Sequence, residues 1–181
     1  MGKVHDGIDG PLAEWIGRQH VFFVATATTD PEGTVNVSPK GTAGTLVVLD
    51  AQRVAYLDLT GSGIETVAHL RENGRITLMW CAFEGPPRIV RVHGTGQVVT
   101  PDDAAWEHLL EHFGGARPGQ RAIIVVSAQR VSDSCGYSVP LMEFSAERTR
   151  LDEWAEARTD DELLEYRARK NSRSIDGLPG L

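Results

Sequence analysis

Between Val21 and Val131 the chain is written in short β-branched and aromatic runs, each closed by a turn signal. No regular alternation of strand and helix separates them. That pattern constrains the fold more than any other feature, because strands joined by turns must pair antiparallel, whereas a parallel sheet needs a long crossover after each strand. Val21–Thr28 and Thr34–Ser38 flank Asp30-Pro31-Glu32-Gly33 as a hairpin. Thr45–Leu49 and Arg53–Leu59 meet around Asp50-Ala51-Gln52, and Arg75–Phe83, Arg88–Thr100 and Ala122–Val131 follow. Gly94 and Gly96 interrupt the longest run, where a bend or bulge is expected. Six or seven strands with short helices predict a mainly β, α+β fold: an antiparallel barrel with peripheral helices. The order of elements does not by itself separate a barrel from a sandwich.

Helical periodicity marks Pro11–His20, Ile64–Glu72 (ended by Asn73-Gly74) and Pro101–Phe113 (with Thr100 as cap). Ser132–Gly136 reads as a turn and Tyr137–Phe144 as a short extended piece. After Ala146 the composition changes: 16 of the last 35 residues are charged. Leu151 with Trp154, and Leu163 with Leu164 and Tyr166, predict two short amphipathic helices there, while Asn171–Leu181 has no helical period. The expected division is a barrel over 1–146 and a helical extension over 147–181, packed on the barrel or on a second subunit.

Composition narrows the function. The 181 residues carry a net charge of −7, which repels a phosphate backbone and disfavours nucleic-acid binding. No apolar run nears the roughly 20 residues of a membrane span. Met1–Gly10 is polar rather than a secretory signal, and Cys81 and Cys135 do not make a disulfide framework, so a cytoplasmic protein with reduced thiols is expected. His108 and His112 have chelating spacing, but no third ligand is signalled nearby, and no metal site is expected.

Two segments point to a ligand. In Thr60-Gly61-Ser62-Gly63-Ile64-Glu65-Thr66 a strand ends, two glycines open the backbone and a helix begins. Free N–H groups at a helix start can bind an anion, and the hydroxyls of Thr60, Ser62 and Thr66 can add donors. The alternative is a capped helix after a glycine turn. Ser38-Pro39-Lys40-Gly41 places a lysine at a strand end beside a glycine loop, where it reaches a ligand or simply solvent. Arg88 and Arg91 are further candidates; Arg91 shares a strand face with Ile89 and His93, and a charge in mid-strand either faces solvent or has a partner.

The order Val37-Ser38-Pro39-Lys40-Gly41, then Tyr56-Leu57-Asp58-Leu59-Thr60-Gly61-Ser62-Gly63-Ile64-Glu65-Thr66, then Leu70-Arg71-Glu72-Asn73-Gly74-Arg75-Ile76 and Arg91-Val92-His93-Gly94 resembles the pyridoxamine 5'-phosphate oxidase-like proteins, the flavin-binding split β-barrels. The resemblance covers about Gln19 to Thr100. It implies a six-stranded split barrel that forms a homodimer with FMN between the subunits. Val37, Ser38, Pro39 and Lys40 would then line the isoalloxazine, and Asp58, Leu59, Thr60, Gly61 and Ser62 would follow the ribityl chain. Ser62 and Thr66 would contact the phosphate, with Arg88 or Arg91 adding charge. Cys135, Gly136 and Asn171–Gly177 would approach the ring. The sequence departs from the authentic oxidases at two points. Glu65 and Thr66 stand where two basic residues follow the phosphate-site serine, and the arginine-rich C-terminal signature is missing. The expected function is therefore FMN-dependent oxidation or reduction of a small organic substrate other than vitamin B6. The family also admits F420 or haem as cofactor, and a non-catalytic carrier or sensor role.

Overall fold

The computed structural model describes residues 2–181. Its strands are β1 (Val4–His5), β2 (Phe22–Ala27), β3 (Val35–Lys40), β4 (Leu46–Asp50), β5 (Arg53–Leu59), β6 (Arg75–Cys81), β7 (Ile89–Val99) and β8 (Gln120–Ser134). The helices are α1 (Gly10–Gly17), α2 (Glu65–Asn73), α3 (Trp106–Glu111), α4 (Arg150–Glu156) and α5 (Asp160–Lys170). The strands form one antiparallel sheet in the order β3-β2-β6-β7-β8-β5-β4, with β1 paired to β8. β3 and β4 end this path without pairing to each other, and the chain crosses between them through Gly41–Thr45. The result is a split barrel.

Alternation decides which side chains enter it. Val24 on β2, Leu78 on β6, Val92 on β7 and Val131 on β8 lie in register and are all buried. The same inner cluster takes Leu12 and Ile16 from α1, and Val67 and Leu70 from α2. A second apolar cluster forms where Trp106, Leu109 and Leu110 of α3 cover Ala55, Leu57 and Ile123 on the opposite face of β5 and β8. Helix ends follow their local chemistry. Asp9 caps α1 by accepting the Leu12 N–H at 2.9 Å. Gly74 closes α2 in the left-handed region at φ 72°, which costs a residue without Cβ little.

The sheet has eight strands rather than six. Seven correspond to the runs read in the sequence, and β1 is a two-residue addition. β8 also extends through Ser132–Ser134, read as a turn, because those small polar residues find ladder partners in Arg91, Val90 and Ile89. Tyr137–Phe144 forms no strand, and Met142 N–H simply donates to the Phe83 carbonyl at 2.9 Å. α3 starts at Trp106 rather than Pro101: the Asp103 carboxylate accepts both the N–H and the hydroxyl of Thr100, which folds residues 100–103 into a turn. The expected irregularity near Gly94 is present as a register shift against β8, and a Cβ at Gly94 would run into the Ser127 carbonyl.

Trp80 is 1% exposed and stacks on Phe22 at 6.0 Å between ring centroids. Trp80→Ala is expected to cost about 3–5 kcal/mol in urea unfolding. A loss under about 1 kcal/mol would mean that this part of the core is not packed as described.

Candidate functional site

The barrel's open seam holds a cleft of about 350 Å³. Its lining joins Ser38–Gly41 from the end of β3 with Asp58–Gly61 and Gly63–Thr66 from the β5–α2 corner. Strand parity explains which side chains arrive there. Asn36, Ser38 and Lys40 are the register partners of Thr26, Val24 and Phe22, so they share the inward face of the β2–β3 pair. Val37 takes the opposite face and is 60% exposed. Asp58 follows Val54 and Tyr56 at every second position of β5, which turns a carboxylate inward at the strand's end.

Asp58 is 2% exposed and holds two cations at once. Lys40 Nζ donates to its Oδ1 and Arg121 Nε to its Oδ2, each at 2.8 Å. Burial alone would raise the Asp58 carboxyl. The Lys40 and Arg121 charges outweigh it and hold the carboxyl below the usual range. Arg121 is spent on its surroundings: it also donates to the Gly61 carbonyl, the Gly63 carbonyl at 2.8 Å and Asn171 Oδ1 at 2.8 Å. Asn171 returns a bond to the Gly61 carbonyl, so the tail after α5 is tied to the glycine corner. Lys40 is different. Its side chain is 24% exposed, lies 5.9 Å over the Tyr56 ring, and keeps two N–H groups beyond the one on Asp58.

The hydroxyls are partly committed. Thr60 donates to the Gly119 carbonyl at 2.6 Å and accepts from Arg167 Nε at 2.9 Å. Ser38 donates to Asn36 Oδ1. Thr66 accepts from Asn36 Nδ2 at 3.2 Å, and its hydroxyl lies beside the buried Tyr56 phenol. Ser62 is exposed and does not line the cleft. At the start of α2, the Glu65 carboxylate accepts the Ile64 N–H at 3.0 Å and the Ile175 N–H from the tail at 3.3 Å.

The two arginines of the sequence reading lie elsewhere. Arg88 pairs with Asp133 at 2.9 Å and sits over the Trp15 ring at 5.2 Å. It lines a larger hollow of about 1520 Å³, walled by Trp15, Phe22, Trp80, Phe83 and Phe144, which meets the first cleft at the Gly41–Thr45 loop. Arg91 lies in the register row of Met79 and Ser132, on the barrel's outer face, and donates to Ser134 Oγ. The sequence reading missed Arg121, while Asn171 opens the tail segment that the resemblance brought towards the ring. Arg121 did leave a trace, since a charge directly before the buried run Ala122–Ile124 requires a partner.

A flavin ring and a flavin phosphate make different demands here. Pro39, Leu57, Leu59 and Leu151 give apolar wall, and Lys40 offers unspent donors, which suits a flat ring bearing carbonyl oxygens. The amino end of α2 does not suit a phosphate, because a carboxylate already sits on it.

Residues 8–135 match the sequence family described as Pyridoxamine 5'-phosphate oxidase. The Pyridoxamine 5'-phosphate oxidase family protein ustO of Aspergillus flavus is 40% identical over 196 residues, spanning all of this chain and 78% of that protein. The chain belongs to this family. Among solved structures, HupZ from Group A Streptococcus superposes with a TM-score of 0.55 at 22% identity, over 68% of this chain and 91% of that one. A pyridoxamine 5'-phosphate oxidase-related, FMN binding protein from Nostoc punctiforme gives 0.50 at 11% identity, over 70% and 83%. These two likenesses establish the fold.

Asp58→Asn leaves two cations facing a neutral amide and is expected to cost about 3–5 kcal/mol at pH 7 in urea unfolding. The Asp58 pKa is lower in the folded state than in the unfolded chain. Its stabilisation is therefore complete above about pH 4 and lost as pH falls through the lowered value. Between pH 4 and pH 2 the wild type should lose stability more steeply than the variant. Parallel curves would contradict the assignment.

Proposed function

We propose that the protein is a flavin-dependent oxidoreductase that acts on a small organic substrate as a homodimer. The observation that carries this reading is the convergence of the Ser38–Gly41 bend and the Asp58–Thr66 corner on one cleft, where Lys40 presents free donors beside apolar wall. A bound flavin supplies the redox chemistry; the protein binds the ring, orients it and excludes water. Lys40, tethered to Asp58, would place positive charge at the ring's polar edge. A flavin is the class of cofactor this supports, since the Nostoc protein of the same fold is described as FMN binding. The polyanionic tail of F420 suits a cleft with so little unpaired positive charge less well. Haem needs an axial ligand, and the residues that line the cleft include no histidine, cysteine, methionine or tyrosine.

The hollow beyond Gly41–Thr45 gives a small organic substrate its place. Trp15, Phe22, Trp80 and Phe83 offer it aromatic wall. Dimerisation is supported by the outer face of β3, an edge strand that leaves Val35 71% and Val37 60% exposed. Tyr137, Leu141, Met142 and Phe144 add more uncovered apolar surface. A twofold partner would bury such surface on both copies. Among the described residues no helix is long and apolar enough to cross a membrane.

Added flavin should bind the purified protein, show quenched fluorescence and be reduced by NADPH under anaerobic conditions. Sedimentation should give a species of twice the 19.7 kDa chain. Failure to bind any flavin contradicts the reading. Flavin that binds but resists every reductant identifies a carrier instead, and a monomer at micromolar concentration rules out the dimer.

A further inference from the structure

Resting on the flavin reading, we propose that Glu65 makes this cleft selective for a flavin without its phosphate, so that riboflavin rather than FMN is the preferred ligand. The glycine corner explains how. A Cβ on Gly63 would lie 2.7 Å from Glu65 Oε2, so the space left by the missing side chain is filled by the chain's own carboxylate. That carboxylate takes the Ile64 N–H at the start of α2 and, on its other oxygen, the Ile175 N–H. A phosphate approaching this helix start would therefore lie against a carboxylate that is held in place by two backbone N–H groups.

The charge balance of the cleft agrees. Its lining contains two cations, Lys40 and Arg121, and two carboxylates, Asp58 and Glu65. Both cations are anchored on Asp58, and Arg121 spends further N–H groups on Gly61, Gly63 and Asn171. Arg167, the next cation, turns to Thr60 Oγ1 and the Gln120 carbonyl. No positive surplus remains to offset a phosphate dianion, and Glu65, which is partly exposed, repels it through solvent that salt can screen. A ribityl hydroxyl at the same point costs nothing of this kind and can donate to the Glu65 carboxylate. Lys40 keeps donors for the ring's acceptors.

The test is a fluorescence titration of the flavin-free full chain with riboflavin and with FMN. Riboflavin should bind the wild type at least about tenfold more tightly than FMN, and that gap should shrink at high salt. In Glu65→Gln, which keeps the side chain's shape, FMN should tighten about tenfold while riboflavin changes less than twofold. A wild type that prefers FMN overturns the inference and leaves the flavin reading intact. So does a Glu65→Gln variant that shifts both ligands equally. Should the variant unfold, the salt dependence of the wild-type preference decides alone, and a gap that salt does not change also overturns the proposal. If neither flavin binds, both readings fail together.

Discussion

Asp58 is buried between Lys40 and Arg121, and the arrangement of the cleft follows from that one compensated charge. A carboxylate without partners at this depth would cost several kcal/mol. With two it becomes a fastener among separate parts of the chain: β3 through Lys40, β8 through Arg121, and the tail through Arg121 and Asn171. A buried ion cluster of this kind need not stabilise more than apolar packing would. Its effect here is to fix geometry at the barrel's open seam, where β3 and β4 do not pair with each other. The same cluster leaves Lys40 half committed, with part of its donor capacity on the cleft.

The rest of the site is shaped by what the seam excludes. Arg88 and Arg91 carry charge on the same sheet, yet Asp133 and Ser134 engage them away from the cleft. The lining itself sums to no net charge, although the glycine corner has the backbone form of an anion site. Local backbone shape and local charge thus point to different ligands, and the charge is the stronger determinant, because a phosphate dianion cannot share a helix start with a carboxylate without a compensating cation. Membership of the pyridoxamine 5'-phosphate oxidase family fixes the scaffold and leaves the ligand to these residues.

Much of the fold was legible in the sequence because it rests on local rules. Seven strand runs were readable from β-branched alternation between glycine and proline turns, and Asn73-Gly74 marked the end of α2. The misses have specific causes. β1 is two residues long and exists only because β8 offers it an edge. Ser132–Ser134 looked like a turn by composition and became strand by pairing with β7. Pro101–Asp103 looked like a helix start, but the Asp103 side chain captured the Thr100 backbone first. For the site, the two corners that converge on the cleft were readable, each from its own glycine and hydroxyl pattern. The contacts of Arg121 with Asp58 and of Asn171 with Gly61 were not, because they span 63 and 110 positions of sequence respectively, and no local pattern encodes them. Val37 shows the limit of a motif: it is adjacent to Ser38, and strand parity sends it to the opposite face.

Everything proposed for this protein requires that the seam between β3 and the glycine corner hold a flavin ring. A crystal structure of the protein soaked with riboflavin tests it most directly. The account predicts ring density against Pro39 and Lys40, with the Lys40 ammonium on a ring acceptor and the Asp58–Arg121 pair undisturbed beneath it. Ring density confined to the hollow of Trp15 and Trp80, or a displaced Asp58 with the cleft collapsed, would contradict it.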